Sequence, residues 1–139
     1  MTENKPTPQT VLGFDFGEKR TGVAVGQSLT RTATGLTTLH SKQNKPDWPA
    51  IEVLIKEWQP DALVVGIPVH MDGTEQAMTL LARKFSRQLH GRFNLPVLEA
   101  EERLSSVEAE ELLGTSQDKA AIDQEAARII LQSWFNSQP

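Results

Sequence analysis

Two apolar segments near the start of the chain predict a β-hairpin. They cover residues 11–16 and 21–26, and the polar, glycine-containing stretch Gly17–Arg20 joins them. Apolar runs with such a short connection are typical of hairpins. A threonine-rich segment, Ala33–Leu39, predicts a further strand. We therefore expect an antiparallel meander of three strands.

Apolar residues then recur at helical spacing, at positions Trp48, Ile51, Leu54, Ile55 and Trp58. Asp47 is the predicted N-cap of this helix, and Pro60 ends it. The run Asp61–Pro68 that follows is apolar almost throughout. Such a run is typical of a strand buried on both faces in a parallel or mixed sheet.

The second half of the chain continues the alternation of strands and helices. Thr74 is the predicted cap of a long helix, and Leu95–Leu98 is a predicted short strand. A capping box at Ser105–Glu108 predicts another helix, which Gly114 closes, and a last helix begins near Asp118. The order β-β-β-α-β-α-β-α-α predicts an α/β domain in three layers, with a mixed sheet and helices on its faces.

Length and composition narrow the class of protein. The chain has 139 residues and a formal net charge of -4, which fits one domain, expected over residues 10–136 behind a flexible tail, residues 1–9. Because it has no cysteine, disulfides, thiolate zinc sites and a cysteine nucleophile are excluded. No signal-peptide core and no apolar run near ~18 residues are present, so we expect a soluble protein without a membrane partner.

Acidic residues at three distant places are candidates for one site. Asp15 lies in the first strand, Glu101 and Glu102 follow a later strand with side chains on opposite faces, and Asp123 lies in the last helix. Carboxylates without histidine or cysteine suit Mg²⁺ or Mn²⁺, and two such ions can cleave a phosphodiester. The alternative is that these acids are solvated surface and, for Asp123, a partner of the helix dipole.

Basic residues form a second candidate feature. Arg83, Arg87 and His90 share one helix face, and further positive charges lie at Lys19, Arg20 and Arg103. Local basic stripes can bind phosphates even on an acidic protein, but the stripe taken alone is more typical of a solvated helix face. His40, His70 and His90 lack metal-ligand spacing, so we expect all three at the surface.

Four ordered segments carry a resemblance to a known family, the bacterial YqgF/RuvX family. They are Phe14–Gly26, Val65–Glu75, Glu102–Ala109 and Lys119–Ala127, and together they extend over nearly the whole chain. The family usually has Asp-Glu-Arg where this chain has Glu101-Glu102-Arg103. The connection Gly114–Asp118 is also shorter than the loop commonly found there.

The resemblance implies an RNase H-like fold, related to the RuvC Holliday-junction resolvases, with a mixed five-stranded sheet whose first strand is central. It also implies a cytoplasmic, metal-dependent nuclease that matures the 5′ end of pre-16S ribosomal RNA. Its catalytic and metal-binding carboxylates would be Asp15, Glu102 (or Glu101) and Asp123. The phosphate-positioning residues would be Lys19, Arg20, Arg83, Arg87 and Arg103.

Two other functions remain open at this point. One is a resolvase of branched DNA, and the other is an RNA-binding ribosome-assembly factor without catalysis. In each case we expect nucleic acid as the partner, and ribosomal RNA precursors or pre-ribosomal particles for the nuclease. We expect the chain to be a monomer or a weak homodimer.

Overall fold

The computed structural model describes residues 9–43, 45–102 and 119–138. In this part of the chain lie five strands and three helices: β1 (Thr10–Asp15), β2 (Arg20–Gln27), β3 (Thr32–His40), α1 (Trp48–Trp58), β4 (Ala62–Pro68), α2 (Ala77–Phe93), β5 (Val97–Glu102) and α3 (Lys119–Asn136). The tail up to residue 8, Arg103, the predicted helix from Ser105 to Gly114 and the connection that follows it lie outside the described residues. None of the helices described here is long and apolar enough to span a membrane.

The sheet has the strand order β3-β2-β1-β4-β5. β1 pairs antiparallel with β2 and parallel with β4, while β3 is antiparallel to β2 and β5 is parallel to β4. The predicted mixed sheet, with a meander, two parallel strands and β1 at the centre, is therefore confirmed. Because β1, β4 and β5 are parallel, their carboxyl ends lie at the same edge of the sheet.

The caps of α1 follow from local sequence. The Asp47 carboxylate accepts a hydrogen bond from the backbone N–H of Ala50 at 3.2 Å, as predicted for an N-cap. Gln59 ends the helix in a left-handed conformation with φ of 46°. Pro60 follows immediately and cannot continue the helix.

Two predicted element boundaries are wrong. Thr74 does not cap α2, because its hydroxyl donates to Asp72 Oδ1 at 2.7 Å in the preceding turn, and the helix begins at Ala77 behind Gln76. The strand predicted over Leu95–Leu98 is displaced and longer: β5 covers Val97–Glu102, since its last residues pair with the end of β4.

Each face of the sheet carries its own hydrophobic core, which confirms helices on both faces. α1 and α2 cover one face, where a cluster of buried side chains includes Leu12, Phe14, Val23, Ile51, Val65, Phe85 and Leu89. α3 covers the other face, where the cluster includes Val11, Ala24, Val64, Ile130, Leu131 and Phe135. Since alternate residues of a strand face opposite sides, the core residues of each strand show on which face of the sheet its polar residues lie.

Candidate active site

Asp15 ends the central strand on the face that α3 covers. It shares this face with Val11 and Gly13, at alternate positions of β1, and Leu131 of α3 lies 3.0 Å from where a Cβ of Gly13 would stand. Burial and, after it, the negative charges of Asp123 and Glu102 together raise the pKa of Asp15 from 3.8 to about 7. Asp123 and Glu102, predicted from distant parts of the chain, therefore lie close enough to act on Asp15 electrostatically.

Asp123 reaches this place because α3 approaches β2 very closely. Gly22 pairs with Asp15 in the β1–β2 ladder. A Cβ at Gly22 would lie 1.9 Å from the carbonyl oxygen of Asp123 and 3.1 Å from its Cβ. Only a residue without a side chain leaves room for this approach, which brings the start of α3 over Asp15.

Arg20 holds the Asp123 carboxylate. Its Nε donates to Asp123 Oδ2 at 2.6 Å, and the two side chains are 31% and 18% exposed, so the pair is partly shielded from water. Arg20 and Gly22 are alternate residues of β2 and therefore share the α3 face. Sequence analysis missed this pair, because alternation places Arg20 on the same face as Gly22 but does not tell which residue of α3 it meets.

The two neighbouring glutamates point to opposite faces, as the alternation predicted. Leu98 and Ala100 pack against the α3 core, so Glu102 faces α3 as well. Glu101 and Glu99 face the α2 side, where Glu99 lies 3.9 Å from Arg83 of α2. The structure brings Glu102, and not Glu101, to the face that Asp15 and Asp123 share.

β4 lies between Asp15 and Glu102 and supplies no carboxylate of its own. Its residues on the α3 face at this level are Gly66 and Pro68, and Pro68 pairs with Glu102. Two strand spacings, about 10 Å, and a stagger of two residues along the strands, about 7 Å, therefore separate the backbones that carry Asp15 and Glu102. Among residues 9–43, 45–102 and 119–138, no group of three or more acidic or histidine side chains is gathered closely enough to hold a metal ion.

The donor chemistry nevertheless suits a hard divalent cation. All three side chains on this face are carboxylates, and the pKa of Asp15 is raised first by burial and then by the negative charges of Asp123 and Glu102. A divalent cation prefers oxygen ligands and relieves that repulsion. By their chemistry Asp15, Asp123 and Glu102 are the candidate ligands for Mg²⁺ or Mn²⁺ on this face, although this structure does not gather them closely enough to hold the ion.

The predicted phosphate contacts fall into two groups. Lys19 is exposed in the β1–β2 turn and lies next to Arg20, at the carboxylate edge. Arg83 bonds Glu75 and lies near Glu99, and together with Arg87 it belongs to α2, on the opposite face of the sheet. Of the predicted phosphate contacts that the structure describes, Lys19 and Arg20 therefore lie at the carboxylate edge, and Arg83 and Arg87 do not. As expected, all three histidines are exposed.

Comparison with known proteins gives matches over nearly the whole chain. A family model described as RuvX, Holliday junction resolvase, matches residues 9–137. The chain belongs to the RuvX family. Relatives named "Putative pre-16S rRNA nuclease" are 49% identical over 135 residues in Yersinia enterocolitica and 50% identical over 135 residues in Proteus mirabilis. The matches cover 94% of this chain in both cases, and 96% and 97% of the relatives.

Solved structures share the fold of this RuvX-family chain at low sequence identity. The fowlpox virus Holliday junction resolvase superposes with a TM-score of 0.55 at 15% identity, covering 93% of this chain and 99% of that one. Thermus thermophilus RuvC in complex with a Holliday junction substrate gives a TM-score of 0.54 at 16% identity, covering 93% and 94%. These likenesses confirm the predicted RNase H-like fold.

Proposed function

We propose that this RuvX-family protein is a metal-dependent endonuclease that processes the 5′ end of pre-16S ribosomal RNA in the cytoplasm. The observation that carries the proposal is the placement of Asp15, Asp123 and Glu102 on the face of the sheet that α3 covers. The names of relatives about half identical to this chain support the substrate. The same function predicts ribosomal RNA precursors or pre-ribosomal particles as partners of a monomer or weak homodimer.

In this proposal Asp15, Glu102 and Asp123 hold Mg²⁺ or Mn²⁺. A bound divalent ion supplies an activated water for attack on phosphorus and stabilises the oxygen that leaves. The chain itself holds the carboxylates on rigid elements. Asp15 lies on the central strand, and Asp123 lies on a helix that can approach the sheet closely because Gly22 has no side chain. Sites on strands and helices hold their geometry better than sites on loops.

Positive side chains at the same edge would position the RNA backbone. Lys19 is exposed in the β1–β2 turn, and Arg20 has further guanidinium donors besides the Nε that Asp123 accepts. Charge-assisted hydrogen bonds from arginine and lysine to phosphate oxygens fix the register of a nucleic acid without reading its sequence. Arg83 and Arg87 lie on the opposite face of the sheet, so they would contact only an RNA that continues past the edge of the sheet to that face.

The test is cleavage of a precursor 16S RNA by the purified chain with Mg²⁺ or Mn²⁺ and with a chelator. We expect defined products with the metals, none with the chelator, and a loss of more than about 100-fold in Asp15→Asn, beyond the 10–100-fold typical of outer-shell residues. Wild-type rates in Asp15→Asn, with the fold intact by circular dichroism, would contradict the assigned role.

The family description favours a second candidate function, the resolution of branched DNA. A four-way DNA junction, tested beside the RNA at equal salt, separates the two, because the proposal expects faster cleavage of the RNA. RNA binding that survives chelation, with no products under any divalent ion, would instead identify an assembly factor without catalysis.

A further inference from the structure

The end of β3 lies beside the start of β2, at the edge of the sheet that carries the carboxylates. Arg20 and His40 are opposite each other in the antiparallel ladder. The backbone N–H of Ser41 donates to the carbonyl oxygen of Lys19 at 2.9 Å and continues this contact by one residue. Because opposed residues have their side chains on the same face of a sheet, the exposed His40 stands next to Arg20.

Thr38 holds this end of β3 against α3. Its hydroxyl donates to the carbonyl oxygen of Ala120, in the first turn of α3, at 2.7 Å. Thr38 and His40 are alternate residues of the strand, so His40 is also on the face that α3 covers. His40 therefore shares both the face and the edge of the carboxylate site, which its position in the sequence does not indicate.

The turn that follows β3 places two lysines opposite each other. Lys42 and Lys45 are both exposed and exchange two backbone hydrogen bonds, at 2.8 Å and 3.0 Å. The Cα atoms of such a pair are about 5.5 Å apart, and like charges at opposed positions destabilise the pairing. Lys42 Nζ lies 3.6 Å from Asp47 Oδ2. Among the residues that the structure describes, no acid pairs with Lys45, so a bound anion would relieve this repulsion.

We propose that His40, Lys42 and Lys45 form a phosphate-binding surface for the RNA backbone, the β3-end surface. The inference rests on the proposed nuclease function and gives the path of its substrate: the RNA strand passes Arg20 and continues toward β3, away from β5. Lysines bind phosphates as point charges and do not read sequence, and a histidine ring N–H can donate to a phosphate oxygen.

The distance between strands separates this surface from the bond that is cleaved. β3 lies two strand spacings, about 10 Å, from the central strand that carries Asp15. The β3-end surface would therefore contact phosphates beside the reacting one. Such contacts bind the substrate and the transition state equally, so they lower KM and leave kcat unchanged.

RNA binding at several salt concentrations tests the β3-end surface. The affinity for a precursor 16S RNA is measured by fluorescence anisotropy with a chelator present. For the double variant Lys42→Gln, Lys45→Gln we expect weaker binding, and the slope of log affinity against log salt should decrease by about 1.4–1.8, as for two lost phosphate contacts. The control is Lys56→Gln, Lys84→Gln, which removes the same charge from exposed positions of α1 and α2 and should keep the wild-type slope.

Two further measurements separate binding from other roles. With Mg²⁺, the Lys42, Lys45 variant should cleave with a raised KM and the kcat of the wild type. Its unfolding free energy in urea should equal or exceed the wild-type value, because a like-charge pair has been removed. His40→Ala should also weaken RNA binding, whereas His90→Ala, at an exposed position of α2, should not.

A wild-type salt slope in the Lys42, Lys45 variant, or an equal decrease in the control variant, would overturn the inference. A lowered kcat with unchanged KM would also overturn it, and unchanged binding in His40→Ala would remove His40 from the surface. If the double variant does not fold, Lys45→Gln alone decides, with an expected decrease of about 0.7–0.9 in slope. The expected slopes without cleavage under Mg²⁺ or Mn²⁺ would instead remove the nuclease and leave the RNA-binding surface.

Discussion

The position of Asp15 in the sheet disfavours its ionised form. Burial at the end of the central strand is the larger cause of its raised pKa, and the charges of Asp123 and Glu102 add to it. Ionised Asp15 therefore lowers the stability of the folded protein, and a cation beside it would reduce this cost. A carboxylate kept in such a place indicates function more than stability.

We expect Asp15 to make the metal-free protein less stable as the pH rises. Below its ordinary value of 3.8 the group is protonated in both states and contributes nothing. Between 3.8 and its folded pKa of about 7 the unfolded chain releases the proton more readily, so stability falls, and above 7 the full penalty applies. Asp15→Asn removes this penalty, which is on the order of 4 kcal/mol at pH 8.

Urea unfolding with a chelator, at pH 5 and pH 8, measures this difference. The variant should be the more stable protein at both values, with the larger gain at pH 8. Equal pH dependence in the two proteins would show that Asp15 titrates normally in the fold.

The acidic residues of the site could be predicted from the sequence, whereas the residues that surround them in the fold could not. Asp15 stands out because a carboxylate in an apolar strand needs a reason, and alternation separates Glu101 from Glu102 without any structure. The partner of Asp123 could not be predicted in this way, because Arg20 lies 103 positions away in sequence. Only the packing of α3 on β2 brings these two residues together.

At the scale of elements, α3 is the element that assembles the site. It crosses the sheet above residues that have little or no side chain, including Gly13, Gly22, Gly26 and Gly66. Each of them lets the helix backbone or its apolar side chains approach more closely than a larger residue would. The height of α3 above the sheet therefore sets the position of Asp123.

Gly22→Ala tests this dependence. The new Cβ would overlap the carbonyl oxygen of Asp123, 1.9 Å away, and backbone cannot rotate aside as a side chain can. We expect a loss of about 3 kcal/mol in unfolding free energy, at the upper end of typical overpacking. RNA cleavage should also fall under conditions where the variant remains folded.

Gly91→Ala is the matched control for this substitution. A Cβ at Gly91, in α2, meets nothing within 4 Å. Alanine is favoured over glycine in helices, so this variant should gain up to about 1 kcal/mol and cleave at the wild-type rate. Equal stability of the two alanine variants would contradict the close approach of α3.

The two misplaced boundaries have physical causes at this same scale. Glutamates are uncommon in strands, so the sequence favours an end at Leu98, but pairing with Ile67 and Pro68 of β4 extends β5 to Glu102. Thr74 has the right chemistry for a helix cap, but its hydroxyl donates a hydrogen bond to the nearby Asp72 carboxylate instead. Long-range pairing and a competing local hydrogen bond are not visible in periodicity.

At the scale of the whole molecule, the net charge of -4 does not represent the local charge on either face of the sheet. The α3 face at the carboxylate edge joins an acidic cluster to Lys19 and Arg20, whereas α2 carries its arginines on the opposite face. Nucleic-acid binding depends on such local charge more than on the total. The chain can therefore be acidic and still bind a phosphate backbone.

Lys19→Gln tests whether RNA passes the β1–β2 turn. The affinity should fall, and the slope of its logarithm against the logarithm of salt concentration should decrease by about 0.7–0.9, as for one lost phosphate contact. Lys56→Gln is the control, because Lys56 Nζ lies 3.3 Å from Glu52 Oε2 on α1, far from this turn in sequence. Equal slopes for both variants in fluorescence-anisotropy titrations would place the RNA elsewhere.

The central claim is that the carboxylates on the α3 face cleave RNA, and the adjacent glutamates of β5 test it most directly. Single-turnover rates on a precursor 16S RNA with Mg²⁺ would be measured for Glu102→Gln and Glu101→Gln, which remove the same charge at neighbouring positions on opposite faces. We predict a loss of more than about 100-fold for Glu102→Gln and a rate within a few-fold of wild type for Glu101→Gln. Equal losses, or a larger loss in Glu101→Gln, would contradict the assignment of the site to this face.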